Sequence, residues 1–294
     1  MIFWLKLIDG KKMPKNIKIF EVGPRDGLQN TPFNVSIENR VKLIDTLSDT
    51  GIKKIECGSF VSEKWVPQMA GSGQLMRSIK RKPGVKYTAL TPNITGFDKA
   101  IDANCDEVAI FASASETFSG KNINCSIVES IERFIPIIKK AKEIGVSVRG
   151  YVSCVIECPY EGSIESGEVS KIVKKLMELG CYEVSLGDTI GKGTPKSVKS
   201  LLLDVCRDID PSKLAGHFHD TNNNAIENVR EAISHGLEVF DSAIGGLGGC
   251  PYAPGAKGNL STRDLIEGIG SENFSSNLNL NKLDEAEKLI MSFD

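Results

Sequence analysis

Two of the chain's three histidines, His217 and His219, sit one residue apart in Gly216-His217-Phe218-His219-Asp220. Side chains alternate between the faces of an extended strand, so His-x-His puts both imidazoles on one side. Two imidazoles with a carboxylate next door outline a divalent-metal site. The plainer alternative is a pair of hydrogen-bonded polar residues at a strand end. Asp26 and Asn259 add carboxylate and amide oxygens. The resulting N/O set of Asp26, His217, His219 and Asn259 lacks thiolate, which suits Mg2+ or Mn2+ and does not exclude Zn2+. Taken singly, Asp26 reads as a turn or cap residue, and Asn259 still more so.

Arg25 precedes Asp26 directly and sets a fixed cation beside the metal candidate. Such a cation can stabilise an enolate oxygen; its bland role is a salt bridge to Glu56 or Asp188. Those two carboxylates are acid/base candidates if burial shifts them, and network-holding groups if it does not. Cys250 lies in the segment Gly245–Asn259, which packs six glycines and two prolines into fifteen residues. A loop of that composition can approach a ligand closely, and a thiol on it can donate a proton or attack; an inert buried thiol is the alternative. Gly187-Asp-Thr-Ile-Gly191-Lys192 is one residue short of a phosphate loop, with Gly193 where Ser or Thr should stand. The glycine-rich segment does not read as a dinucleotide fingerprint either.

Positioning these groups requires a scaffold, and the chain alternates regularly. Short β-branched runs fall at Ile17–Val22, Lys54–Gly58, Lys86–Leu90, Glu107–Phe111, Ser147–Val152, Tyr182–Leu186, Leu214–Phe218 and Val239–Ala243. Between them lie helical patterns such as Ile37–Asp49, Val128–Ile144, Glu168–Glu178, Pro195–Cys206 and Asn222–Ser234. Gly51, Gly145, Gly180 and Gly236 stand where left-handed helix caps belong. Eight strand–helix units in about 250 residues are the count for an α/β protein of the (β/α)8 TIM-barrel class. The barrel predicts that reactive groups gather after the strands. Gln29, Ser59, Asn93, Arg149 and Tyr151 do so beside the residues above, and are the candidate substrate contacts.

Forty per cent hydrophobic and 25% charged residues describe an ordinary soluble chain, and a net charge of −2 gives no reason to expect nucleic acid or an anionic membrane as partner. No apolar run reaches membrane-spanning length. The first fifteen residues match neither a secretory signal nor a transit peptide. Eight scattered cysteines read as free thiols, and a cytoplasmic setting is expected. Met1 and Met13 are both candidate starts. Residues 1–294 are read as one domain, with 271–294 as a helical C-terminal appendage.

Longer blocks carry a resemblance. Glu21-Val-Gly-Pro-Arg25-Asp26-Gly-Leu-Gln29-Asn30, Ser59-Phe-Val-Ser62, Lys64-Trp-Val-Pro-Gln68-Met69 and Lys121-Asn-Ile-Asn-Cys-Ser126 lie in the first half. Arg149-Gly-Tyr-Val-Ser-Cys154, Ser185-Leu-Gly-Asp-Thr-Ile-Gly191 and Gly248-Gly-Cys-Pro-Tyr252 follow in order. Over about residues 16–270 the chain resembles the 3-hydroxy-3-methylglutaryl-CoA lyase family of metal-dependent TIM barrels. The resemblance implies cleavage of an acyl-CoA, 3-hydroxy-3-methylglutaryl-CoA, to acetyl-CoA and acetoacetate, as in leucine degradation and ketone-body formation. It implies Asp26, His217, His219 and Asn259 as ligands of Mg2+ or Mn2+, with His217 also in the catalytic set. Arg25 matches the enolate-stabilising arginine, Cys250 the loop cysteine, and Glu56 and Asp188 the supporting carboxylates. A homodimer is compatible with it, although no patch for one can be read from sequence.

Two departures bear on the acyl group. Asn222, Asn223 and Asn224 replace the family's usual Tyr-Gly-Gln, and Arg263 stands where a glutamate is expected, four residues past Asn259. The same chemistry on another 3-hydroxy-3-substituted glutaryl-CoA is therefore an alternative. An acetyl-CoA-dependent synthase would be expected to lack the Gly-Gly-Cys-Pro-Tyr loop and to add a regulatory domain. A non-catalytic acyl-CoA- or metal-binding barrel would have no use for Arg25.

Overall fold

The computed structural model describes residues 15–248 and 258–293, together with the backbone of 7–8 and 11–12. Eight parallel strands form a closed barrel in chain order: β1 (Lys18–Glu21), β2 (Lys54–Ser59), β3 (Lys86–Leu90), β4 (Glu107–Ser113), β5 (Ser147–Ser153), β6 (Glu183–Asp188), β7 (Leu214–Phe218) and β8 (Val239–Ser242), which pairs back to β1. The strands lie where the apolar runs placed them, shifted by one or two residues at several ends. β1 is shorter than expected because the chain leaves it through a wide helical turn, Gly23–Gly27, in which the amides of Asp26 and Gly27 both bond Val22 O.

Around the barrel stand α1 (Ile37–Ser48), α2 (Ser72–Ser78), α3 (Ile94–Asp102), α4 (Glu116–Ile123), α5 (Ile127–Ile144), α6 (Ser166–Leu179), α7 (Pro195–Val205), α8 (Ala225–Ser234), α9 (Thr262–Ile269) and α10 (Leu280–Ile290). Local signals set their ends. Ser126 and Glu129 form a reciprocal capping box on α5, and Thr194 with Ser197 does the same on α7. The helix expected from Asn222 begins instead at Ala225, because Asp220 accepts the Ala225 amide at 3.1 Å and Asn223 is left-handed, with φ of 58°. The four expected capping glycines all have positive φ.

Strand alternation divides the core in two. Ile55, Val108, Val148, Val184, Leu186 and Phe240 are buried outward, against the helices. The other face of the strands lines the barrel interior, and there charged and aromatic residues replace the branched aliphatics usual in such barrels: Lys54 and Glu56 on β2, Arg149 and Tyr151 on β5, Glu183 on β6, His217 on β7 and Asp241 on β8. The seven described cysteines are unbridged, as the sequence led one to expect. Among the described residues no helix is long and apolar enough to cross a membrane.

The C-terminal segment, expected as a helical appendage, packs closely against the barrel. Leu283 and Ala286 of α10 are buried, as is Phe293 beyond it. The Asn279 amide bonds Thr50 O at 2.7 Å, and residues 17 and 274 form a parallel bridge that ties the segment to the start of β1. Gly51 makes the close approach possible, since a Cβ there would stand 2.2 Å from the carbonyl oxygen of Asn277. Arg263, which stands where a glutamate was expected, pairs with Asp284 and Glu287 of α10 at 2.5 and 2.6 Å.

Leu283→Ala should therefore cost about 2–4 kcal/mol, the usual range for emptying a buried leucine site. Urea unfolding measures this, and a loss below about 0.5 kcal/mol would mean that the packing of α10 contributes little to the fold.

Candidate active site

The carboxyl ends of β1, β2 and β7 and the segment before α9 bring the reactive groups together. In the turn after β1, Arg25 and Asp26 are adjacent and mostly buried, with Arg25 Nη1 donating to Asp26 Oδ1 at 2.5 Å. Arg25 Nε donates to Glu56 Oε2 at 2.5 Å, and Tyr151 Oη donates to Glu56 Oε1 at 3.3 Å. The Tyr151 ring lies between two guanidiniums, 5.5 Å from Arg25 and 4.9 Å from Arg149. His217 Nε2 stands 3.3 Å from His219 Nε2 and 4.0 Å from Asp26 Oδ2. One donor atom from each of Asp26, His217 and His219 falls within a 4.8 Å cluster, the arrangement expected from the His-x-His spacing. Asn259 pairs with His219 in an antiparallel bridge, and its Nδ2 donates to Asp26 Oδ2 at 2.8 Å and to Leu247 O at 3.1 Å.

The residues fit a divalent cation. The two facing imidazole nitrogens, Nε2 of His217 and Nε2 of His219, can satisfy each other only if a proton sits between them. Charge points the same way. Among the described residues Asp26, Glu56, Asp241 and Glu183, counted as ionised, face the cations Arg25 and Arg149, so with His217 and His219 neutral two negative charges are left over. A divalent ion offsets that excess.

Burial opposes every charge here, and neighbours decide the outcome. For Asp26 the nearby Arg25, His217 and His219 outweigh burial, and its pKa is lowered. Burial also works against the charge on His217, but the hydrogen bond to Asp241 and the charges of Asp241 and Asp26 prevail, so its pKa is raised. Burial and the neighbouring His217 push His219 down to about 4. Burial lifts Glu56 above the usual carboxylate range against the pull of Arg25, while Glu56 and Asp26 keep Arg25 cationic. Asp188, at the end of β6, is pushed up to about 6 by burial, although the amides of Gly193 and Lys192 donate to it at 2.7 and 3.1 Å.

The candidate substrate contacts divide. Ser59, the last residue of β2, has a buried hydroxyl with no hydrogen-bond partner among the described residues. Gln29 reaches Asp26 at 3.5 Å and Tyr151 touches the Arg25–Glu56 pair. Asn93 instead caps α3, accepting the Gly96 amide at 2.9 Å. Arg149 belongs inside the barrel: it sits low on β5, 1% exposed, with Nε on Glu183 and both Nη atoms on Asp241. Cys250 lies outside the described residues. Asn222 is a loop tie, donating to Gly191 O at 2.8 Å.

Asp241 was missed by sequence reasoning. Its Oδ2 lies 3.1 Å from His217 Nδ1 and accepts the Ser185 hydroxyl at 2.7 Å. A charged residue in the middle of the apolar run Val239–Ala243 was the available signal. Glu21 was also passed over. It is wholly buried and accepts the amides of Gly23 and Ile244, both at 2.8 Å, and the Thr262 hydroxyl at 2.6 Å. It thereby pins the turn bearing Asp26 to the segments flanking Asn259.

A closed parallel barrel with imidazole and carboxylate groups gathered at the carboxyl ends of its strands defines a class, the (β/α)8 barrels equipped for a divalent cation. Within that class the chain belongs to the HMGL-like family, whose model matches residues 16–290, the C-terminal helix included. The mitochondrial hydroxymethylglutaryl-CoA lyase of Bos taurus is 52% identical over 277 residues, spanning 94% of this chain and 85% of its own. The 3-hydroxy-3-isohexenylglutaryl-CoA/hydroxy-methylglutaryl-CoA lyase of Pseudomonas aeruginosa is 46% identical over 95% of this chain and 93% of its own. The crystal structure of the HMG-CoA lyase from Brucella melitensis is similar with a TM-score of 0.93 at 47% identity, covering 95% of this chain and 98% of that one.

Burial raises Glu21 from the usual 4.5 to about 7. A raised acid favours folding while protonated, so its contribution is complete below the unfolded pKa and is lost as pH climbs through about 7. Gln can keep its oxygen on the two amides and offer its NH2 to Thr262. Glu21→Gln should thus gain on the wild type, by at most about 3 kcal/mol, between about pH 5 and about pH 8. Urea melts at the two pH values check this; a pH-independent difference would mean that burial does not raise the folded Glu21 above its unfolded value.

Proposed function

We propose that the chain is a divalent-cation-dependent carbon–carbon lyase that cleaves 3-hydroxy-3-methylglutaryl-CoA to acetyl-CoA and acetoacetate. The observation that carries this reading is the Asp26–His217–His219 cluster set directly against the Arg25–Glu56 ion pair. Relatives of about half identity over nearly the whole chain bear that activity in their names.

The reaction removes the proton of the tertiary hydroxyl, breaks the adjacent carbon–carbon bond and leaves the electron pair on the thioester as an enolate. Asp26, His217, His219 and Asn259 would hold Mg2+ or Mn2+, which when bound supplies Lewis acidity at the hydroxyl. Asp188, half protonated near pH 6, changes state close to neutrality and so suits exchange of the hydroxyl proton. Arg25 carries the lasting positive charge that an enolate oxygen needs, and Glu56 holds its guanidinium at a fixed angle while Tyr151 braces Glu56. Ser59 and Gln29 present a hydroxyl and an amide to the polar end of the acyl group. Reprotonation of the enolate carbon falls to Cys250, by the resemblance that singled it out. A longer 3-substituent is the second reading, favoured by the doubly named relative from Pseudomonas aeruginosa.

Acetyl-CoA release by the purified protein should proceed at about 1–10³ s⁻¹ with Mg2+ or Mn2+ and stop with chelator. Turnover that chelator leaves untouched would end the cation-dependent reading. Running the isohexenyl ester alongside separates the two acyl groups. Arg25→Met should keep Mn2+ affinity and lower kcat by about 10²–10³ or more. A mutant of near wild-type rate would remove Arg25 from the chemistry.

A further inference from the structure

His217 and His219 present the same nitrogen, Nε2, to the cluster, but their far sides differ. His219 Nδ1 is buried with no partner among the described residues, whereas His217 Nδ1 meets a carboxylate that is itself held from two further directions. That carboxylate, Asp241, is buried on β8, behind the imidazole as seen from the cluster. Its Oδ1 accepts Arg149 Nη2 at 2.7 Å; its Oδ2 accepts Arg149 Nη1 at 3.1 Å and the Ser185 hydroxyl at 2.7 Å. Arg149 is fixed in turn by Glu183, at 2.7 Å, and by stacking 4.0 Å from the Phe20 ring.

We propose that Asp241 is a positioning residue for the proposed lyase: it holds neutral His217 in the Nδ1–H tautomer, so that the Nε2 lone pair faces Asp26 and His219. The inference rests on reading that cluster as the cation site. Ionised aspartate can only accept, so the nitrogen facing it must carry the proton, and the opposite nitrogen must then be bare. Nothing on the far side of His219 imposes the same choice. The Arg149 fork and Ser185 supply three donors that keep Asp241 an acceptor and stop it from rotating. Arg149, expected from the sequence to touch substrate, thus acts two residues removed from the cluster.

Asparagine tests the idea because it has the same shape and can donate. Of the donors that converge on Oδ2, the hydroxyl and the imidazole can reverse roles; only Arg149 Nη1, at the longer distance, cannot. In Asp241→Asn, a side-chain NH2 turned toward His217 would drive the ring to the Nε2–H form and aim a proton at the cation. With three histidines in the chain, the ring nitrogens can be followed by 15N NMR on the whole protein. In the cation-free wild type above about pH 8, His217 should be Nδ1–H. Asp241→Asn should convert it to Nε2–H and weaken Mn2+ binding by about 10–100-fold, read by electron paramagnetic resonance without substrate. Wild-type His217 found as Nε2–H overturns the proposal, whether or not the variant folds. So does a folded variant that keeps wild-type Mn2+ affinity, or that loses affinity with the tautomer unchanged. A wild type that binds no Mn2+ at all would sink the cation reading instead, with the tautomer still deciding the role of Asp241.

Discussion

Arg149 and Asp241 share a two-point ion pair in the middle of the barrel, and the site depends on it. An unpaired charge in such a place would cost several kcal/mol, so each group buried there has to meet its complement. Glu183 balances one side of Arg149; Phe20 and Tyr151 offer ring faces to it. Asp241 passes the order upward to His217, and Arg25 with Glu56 builds a second pair beside it. The strands hold these partners at fixed heights because parallel register leaves little room to slip. The interior is thus specified by charge matching more than by volume, and its unbalanced remainder is located where a cation would sit.

Much of this architecture was legible in the sequence because it rests on local signals. Strand positions followed from β-branched runs, helix ends from capping residues, and the meeting of His217 with His219 from a period of two. Asp26 and Asn259 could be added because both fall just after strands, where the barrel gathers its reactive groups. Arg149 and Asn93 were misjudged by the same rule. A position on a strand says which face a side chain takes but not how deep it lies, and Arg149 is near the bottom of β5. Asn93 is at the right end of its strand, yet spends its side-chain oxygen on a helix cap. Asp241 showed as a charge inside an apolar run, but its role could not be read from that: its partners come from β5, β6 and β7, and no spacing along β8 announces them.

The two departures from the family pattern, Asn222 and Arg263, each act in this chain as a local tether. Arg263 trades a glutamate's charge for a fork that grips two acids on α10, and the helix answers with Asp284 and Glu287 at matching positions. Asn222 bonds a neighbouring loop's carbonyl across the mouth of the barrel. Both changes sit in segments that border the site without entering the cluster of donor atoms.

The hydrogen bond between Asn259 and Asp26 joins residues 233 positions apart. During synthesis the amino-terminal half of the pair leaves the ribosome long before its partner exists, and the two histidines arrive in between. A nascent chain stopped anywhere short of β8 has no closed ring and no complete set of donors. A cation held by Asp26, His217, His219 and Asn259, as proposed, would therefore find its complete donor set only once the ring has closed, and would fasten the closed ring rather than a partly made intermediate.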